Sequence, residues 1–181
     1  LASGPVGVMA ATNEAVSAAQ DPMMLYVFGA VIALCLISFR SVRATLVVVI
    51  PLYVVSVLAQ ALMTYLQIGL TVSTLPVIAL GVGIGVDYGI YILSTKSLML
   101  KKGATVQEAY FAALKERGSA VLFTGITLAI GVSTWVFSSL KFQMDMGILL
   151  TFMFVVNMLG AIIVLPALAR FLWWNNNDPD A

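Results

Sequence analysis

One acidic residue lies inside a long apolar stretch of the chain. Asp87, followed by Tyr88, stands in the run Gly81-Val-Gly-Ile-Gly-Val-Asp-Tyr-Gly89. An aspartate near the centre of a membrane span costs about 2.5–3.5 kcal/mol on insertion scales, so its side chain should face protein or a water-filled path. A carboxyl in that position can take up and release protons. The alternative is a polar clasp, in which the carboxyl is hydrogen-bonded to a neighbouring helix and moves no proton.

Four glycines surround Asp87 at helical spacing, and we predict that they serve helix packing: Gly81, Gly83, Gly85 and Gly89. The first, third and fourth repeat every four residues and would form one bare ridge against which another helix can pack closely. Helical geometry places Tyr88 beside this ridge, and Asp87 with Gly83 on a different face. The glycines do not complete a nucleotide-binding G-x-G-x-x-G pattern after a soluble strand.

A stripe of small and hydroxyl-bearing residues follows later in the chain. Its members recur every three or four positions: Thr124, Thr127, Gly131 and Thr134. We predict that Thr124 and Thr127 relay protons to Asp87 through water. The alternative is structural, because hydroxyls in membrane helices commonly bond to their own backbone or to a neighbouring helix.

Five apolar runs must position these residues. Each is close to the roughly 20 residues that cross a bilayer, and they cover residues 23–39, 44–66, 71–93, 120–140 and 147–168. Hydrophobic residues make up 61% of the 181 residues and charged residues 9%, against roughly 45–50% and 25% in soluble domains. The mean hydropathy is +1.06. We therefore predict an all-α membrane protein of five transmembrane helices, with the lipid bilayer as its first partner.

The basic residues are distributed unevenly between the two ends of the predicted spans. Eight of the nine lie in the first and third connections or after the last span, and only Lys141 lies in the fourth connection. The positive-inside rule then places the N-terminus outside the cytoplasm and the C-terminus inside it. In this assignment Lys96 belongs to the third connection, and no lysine or arginine is deep enough in a span to pair with Asp87.

The segments outside the spans have signals of their own. Residues 1–21 are predicted to be the end of an extracytoplasmic domain, and Asp21-Pro22 to start the first helix of a five-span domain over residues 22–172. Thr105 and Glu108 have capping-box spacing, which predicts an amphipathic helix over about 104–117 on the cytoplasmic surface, ended by Gly118. Residues 173–181 form a polar tail typical of a C-terminus.

Several classes of function are disfavoured by composition. The chain has no histidine and one cysteine, Cys35, which leaves almost no ligands for zinc or haem, and we expect no metal or other cofactor. A net charge of +1 without a basic block provides no footprint for nucleic acid. One buried carboxyl with scattered hydroxyls provides no nucleophile, base and orienting group, so we expect no enzyme.

Four parts of the sequence together resemble a known superfamily. They are residues 75–91 around Asp87, the segment from Glu108 to Lys115, the run Thr124-Gly-Ile-Thr-Leu-Ala-Ile-Gly131 and the closing Leu165-Pro-Ala-Leu. They resemble the resistance-nodulation-division (RND) superfamily and, more narrowly, its MMPL-type exporters, whose five-helix block is similar to the sterol-sensing domain. The resemblance covers about 150 residues, from Leu25 onward.

The resemblance implies more than the residues alone. It implies an RND-type half bundle in which Asp87 and Tyr88 are a proton-carrying pair that meets its counterpart in an absent half of the same protein. The polar tail favours the second half, which makes the absent one N-terminal. The implied function is export of a hydrophobic or lipid-like substrate across the bacterial inner membrane, driven by the proton-motive force.

Two other functions remain open. A sterol-sensing-like module would bind lipid without transport, and a protein-export accessory would act on unfolded polypeptide. A homo-oligomer is also left open. Members of the superfamily that pair the aspartate with a membrane lysine are not matched, which favours the lipid-exporting branch over the drug-efflux branch.

Overall fold

The protein is a bundle of long helices in the computed structural model, which describes residues 4–69 and 74–173. Its elements are α1 (Pro5–Phe39), α2 (Val42–Tyr65), α3 (Leu75–Lys101), α4 (Val106–Ser133), a short 3₁₀ helix (Thr134–Phe137), α5 (Lys141–Leu159), a π turn (Gly160–Val164) and α6 (Leu165–Trp173). Helices α5 and α6 continue through the π turn, and within the described residues five helical stretches are long and apolar enough to cross a membrane. The predicted fold class is confirmed.

Helix α1 is longer than the sequence predicts. It begins at Pro5, in the first turn where a proline is tolerated, and Pro22 lies inside it. The predicted helix start at Asp21-Pro22 is wrong, because the alanine-rich residues before Pro22 are strong helix formers and extend the helix upstream. The assignment of residues 1–21 to an external domain stays a prediction. The described part of the chain leaves out residues 1–3 and most of the polar tail, 174–181.

Helix α4 confirms one boundary signal and contradicts another. Thr105 and Glu108 form the predicted capping box: the Thr105 N–H donates to Glu108 Oε2 at 3.0 Å, and the Glu108 N–H donates to Thr105 Oγ1 at 3.3 Å. The predicted end at Gly118 is wrong, because the helix runs unbroken to Ser133. A glycine in a helix interior costs only about 1 kcal/mol relative to alanine, too little to end a helix with long flanks on both sides.

Helix α3 is the centre of the bundle. It packs against α1, α2, α4 and α5, and it is the most buried of the five candidate spans. It begins at Leu75 and ends at Lys101, whereas the predicted span ends at residue 93. Residues 71–73 of that predicted span lie outside the described part. Lys96, which we assigned to a connection, is therefore a helical residue, and it is only 2% exposed. That assignment is wrong because α3 continues past Lys96 to Lys101.

Candidate functional site

Asp87 lies near the middle of α3, on the face of the helix that the chain leaves uncovered. The exposed positions of α3 recur every three or four residues and include Leu80, Gly83, Asp87, Tyr91 and Ser94. The other sides of the helix are covered by its four neighbours. The carboxyl thus lies within a candidate membrane span but on the surface of this chain, where lipid, water or another protein surface must meet it.

Tyr88 points into the bundle. Its side chain is 2% exposed, and its phenolic oxygen is buried with no hydrogen-bond partner among the described residues. Successive residues of an α-helix are about 100° apart, so neighbours in sequence can face different surroundings. The structure therefore places Asp87 at the outer face of the chain and Tyr88 in its interior.

Thr124 and Thr127 are exposed on α4, the helix that follows α3. Arg117 of α4 donates from Nε to Thr95 Oγ1 of α3 at 3.3 Å, which shows that these two residues lie at nearby heights in the bundle. Asp87 lies eight residues before Thr95 on α3, and Gly125 lies eight residues after Arg117 on α4. Because the two helices run antiparallel, both counts lead in the same direction along the bundle. By this count, Thr124 lies at about the height of Asp87 in the bundle, and Thr127 lies about one turn from Thr124.

The rest of the predicted hydroxyl stripe behaves differently. Thr134 donates from Oγ1 to the carbonyl oxygen of Gly131 at 2.7 Å, which is the structural alternative for such residues. Thr124 and Thr127 make no such bond to a carbonyl within the part of the chain that the structure describes. Their hydroxyls are therefore open to water or to a partner surface, and the relay stays a prediction.

Two glycines of α3 are in close contact with α5 and α2. A Cβ atom added at Gly81 would overlap the side chain of Met153. One added at Gly85 would lie 2.5 Å from Leu52 Cδ2 and 2.7 Å from Asn157 Oδ1. Distances below 3.0 Å essentially never occur for real Cβ atoms, so these helices pack directly on the bare ridge.

The remaining two glycines divide between packing and the open face. A Cβ atom at Gly89 would lie 2.9 Å from Val48 Cγ1 of α2, which confirms the predicted ridge at its third position. A Cβ atom at Gly83 would have nothing within 4 Å among the described residues. Gly83 therefore packs against no other helix in the described part of the chain, because it shares the exposed face of Asp87, and its role in helix packing stays a prediction.

Asn157 on α5 adds a buried polar contact to α3. It is 4% exposed, and its Nδ2 donates to the carbonyl oxygen of Gly81 at 2.8 Å. Sequence spacing alone could not identify this acceptor, because the two residues are 76 positions apart.

A basic and aromatic cluster joins α3 and α4 near their connection, and the sequence did not indicate it. The Lys96 ammonium lies 5.0 Å from the ring centroid of Tyr110. Lys96 follows Asp87 by nine residues, which is a rotation of about half a turn around the helix. The lysine therefore lies on the side of α3 away from the carboxyl.

Comparison with known proteins agrees with this architecture. The fold defines the chain as a multi-pass helical membrane protein, and its central helix has an aspartate on its open face. Residues 2–174 match the model of the MMPL family. The chain is therefore a member of the MMPL family.

Three similar proteins are each named as a membrane protein. MJ1562 of Methanocaldococcus jannaschii is 26% identical over 117 residues, which is 65% of this chain and 30% of that protein. ActII-3 of Streptomyces coelicolor is 25% identical over 192 aligned residues, 98% of this chain and 27% of that protein. SCO6666 of the same organism is 33% identical over 89 residues, 49% of this chain and 13% of that protein. The sequence thus spans less than a third of the length of each relative.

Proposed function

We propose that this chain is a transmembrane part of an RND-type transporter that uses the proton-motive force to export a hydrophobic or lipid-like substrate across the inner membrane. Asp87 is the residue that carries the proton. Membership of the MMPL family supports the transporter class. The observation that carries the proposal is the location of Asp87, within a membrane span and on the one uncovered face of the central helix, as far as the chain is described.

This location disfavours the clasp alternative. A clasp would require a hydrogen bond from Asp87 to a neighbouring helix of the chain, and Asp87 makes none among the described residues. A carboxylate facing hydrocarbon is unfavourable by about 2.5–3.5 kcal/mol, so a second protein surface or a water-filled path must cover it. We assign this cover to a further part of the same transporter. The relatives are long enough to contain one, because this chain matches less than a third of their length.

The mechanism follows from the charge of the carboxyl. As a carboxylate, Asp87 requires water or polar groups at the face of α3, and protonation removes that requirement. Each change of protonation therefore changes the favoured packing between this face and the surface opposite. Thr124 and Thr127, at nearby heights on α4, hold the water through which the proton arrives. Selection of the substrate belongs to parts of the transporter outside this chain.

The proposed orientation follows the distribution of basic residues over the helix ends. Helices joined by short connections run antiparallel. The basic residues at the junction of α1 and α2 (Arg40 and Arg43), at the end of α3 (Lys101 and Lys102) and in α6 (Arg170) therefore gather at one end of the bundle. Positively charged connections favour the cytoplasm. We therefore orient the first residues outside the cytoplasm and α6 toward it.

Proton flux in the full-length transporter tests the proposal. The protein is reconstituted in proteoliposomes with a trapped pH-sensitive dye, and flux is followed under an imposed pH gradient. We expect Asp87→Asn to insert and fold but to lose gradient-driven flux, whereas Asp145→Asn, the same change in the first turns of α5, keeps it. Unchanged flux in Asp87→Asn would overturn the proposal and favour a sterol-sensing-like module that binds lipid without transport.

A further inference from the structure

A single buried amide connects α5 to the part of α3 that precedes Asp87. Asn157 donates to the Gly81 carbonyl oxygen at 2.8 Å. In an α-helix that carbonyl also accepts the N–H of the residue four positions later, which is Gly85. The same amide lies against Gly85, because a Cβ atom there would be 2.7 Å from Asn157 Oδ1. Asn157 thus contacts both ends of one turn of α3, and Asp87 lies two residues beyond that turn.

The helix that carries Asn157 changes geometry just after it. The π turn Gly160–Val164 begins three residues later and continues into α6. Single π turns inside α-helices are rare and occur frequently at functional sites, where they permit local adjustment. A change in this turn would move α5 relative to α6, and the hydrogen bond of Asn157 would transmit that movement to α3.

The neighbouring segment of α2 is also irregular. Pro51 is buried inside α2, where it cannot donate the usual backbone hydrogen bond to the residue four positions earlier. A Cβ atom at Gly160 would lie 4.0 Å from Pro51 Cβ, so the π turn packs beside this proline. A crevice of about 10 Å³, room for roughly one water, is lined by these two residues together with Gly85, Gly89 and Asn157. Asn157 therefore lies where α2, α3 and the α5–α6 helix meet, beside two departures from regular α-helix geometry, Pro51 and the π turn.

We propose that Asn157 is a positioning residue for proton coupling: its hydrogen bond to Gly81 holds the turn of α3 that orients Asp87 and links it to the π turn of α5–α6. The inference rests on the proposed function, since it assigns Asn157 a role only if Asp87 carries the proton. Asn157 does not itself exchange a proton, because a carboxamide does not titrate in this range.

The test compares two buried polar residues that differ in what they bind. Asn157→Leu keeps a similar volume and removes the donor. Ser56→Ala is the matched control, because Ser56 is fully buried but donates only to Leu52 of its own helix, at 3.0 Å. Proton flux per folded transporter is measured in proteoliposomes as a function of pH, and folding is checked by thermal unfolding in detergent.

We expect Asn157→Leu to lower the flux about tenfold and to shift the midpoint of its pH profile by about half a unit, and Ser56→Ala to change neither. A merely structural role would reduce the amount of folded protein and leave the midpoint where it is in the wild type. An unchanged midpoint with unchanged flux per folded transporter would overturn the inference. If the leucine variant does not fold, Asn157→Ala, which removes the donor without adding volume, is measured by the same criteria.

The two proposals fail in distinguishable ways. If Asp87→Asn abolishes flux but Asn157→Leu leaves both flux and midpoint unchanged, only the positioning role is wrong. If Asp87→Asn leaves flux unchanged, the proposed function is wrong, and the role of Asn157 in proton coupling falls with it.

Discussion

Lys96 and Asp87 lie on opposite sides of α3, nine residues apart, and the lysine packs over the ring of Tyr110 instead of approaching the carboxyl. The chain therefore contains a buried lysine in its central helix that is not a partner of the aspartate. Its contact joins the end of α3 to the beginning of α4 and so helps to fix the register that sets Thr124 at the height of Asp87.

The Lys96 contact depends on the ring of Tyr110 and not on its hydroxyl. That hydroxyl is buried without a hydrogen-bond partner among the described residues, which costs about 1–3 kcal/mol. We expect Tyr110→Phe to keep or raise the midpoint of thermal unfolding in detergent. Tyr110→Leu should lower it, because a desolvated cation–π contact contributes about 0.5–2 kcal/mol. Equal destabilisation by both substitutions would show that the hydroxyl, not the ring, stabilises the hairpin.

Two glycines of α3 that are two positions apart should respond in opposite ways to the same substitution. Gly85→Ala would force Leu52 and Asn157 to move, and overpacking of this kind costs about 1–3 kcal/mol. Gly83→Ala meets open space and gains about 0.8–1 kcal/mol of helix propensity. Thermal unfolding of this five-span chain in detergent should therefore rank Gly83→Ala at or above the wild type and Gly85→Ala below it. The reverse order would contradict the packing described for the ridge.

Some features could be predicted from the sequence because they depend on local periodicity. The five apolar runs, the ridge of Gly81, Gly85 and Gly89, and the separate face of Asp87 all follow from helical spacing within one segment. The capping box at Thr105 needs only four consecutive residues. The assignments of Asp87 and Tyr88 as a proton-carrying pair came from the family resemblance and stay predictions.

Other features depend on how distant segments meet. Lys96 is buried because the register of the α3–α4 hairpin brings Tyr110 over it, and a hydropathy pattern reads the lysine simply as the end of a span. The bond from Asn157 to Gly81 joins residues that no periodicity relates. Local signals were also misleading at Pro22 and Gly118, where a longer helix runs through the predicted boundary. The free energy that one proline or glycine costs is smaller than the stabilisation provided by the helical turns on both sides.

The capping box should control the first turn of α4. Thr105→Ala removes the side-chain acceptor of the Glu108 N–H, and loss of an N-cap typically costs about 0.5–2 kcal/mol. We expect faster amide hydrogen exchange at residues 106–109 in this variant. Gln107→Ala is the control in the same turn, because Gln107 is exposed and makes no side-chain hydrogen bond within the described residues. Comparable acceleration in both variants would mean that the turn frays irrespective of its cap.

The proposed water relay predicts that substitutions of three threonines of the same stripe have different effects on proton flux. Thr124 and Thr127 are exposed near the height of Asp87, whereas Thr134 donates to the Gly131 carbonyl. Valine has the shape of threonine without the hydroxyl, so the double variant Thr124→Val/Thr127→Val should lower proton flux in proteoliposomes by about tenfold, less than a direct proton-transfer group contributes. Thr134→Val should leave flux unchanged, because the Thr134 hydroxyl donates to the nearby Gly131 carbonyl oxygen. If the double variant and Thr134→Val have the same flux as the wild type, the proton reaches Asp87 without these hydroxyls. Water must then enter from the face that another part of the transporter covers.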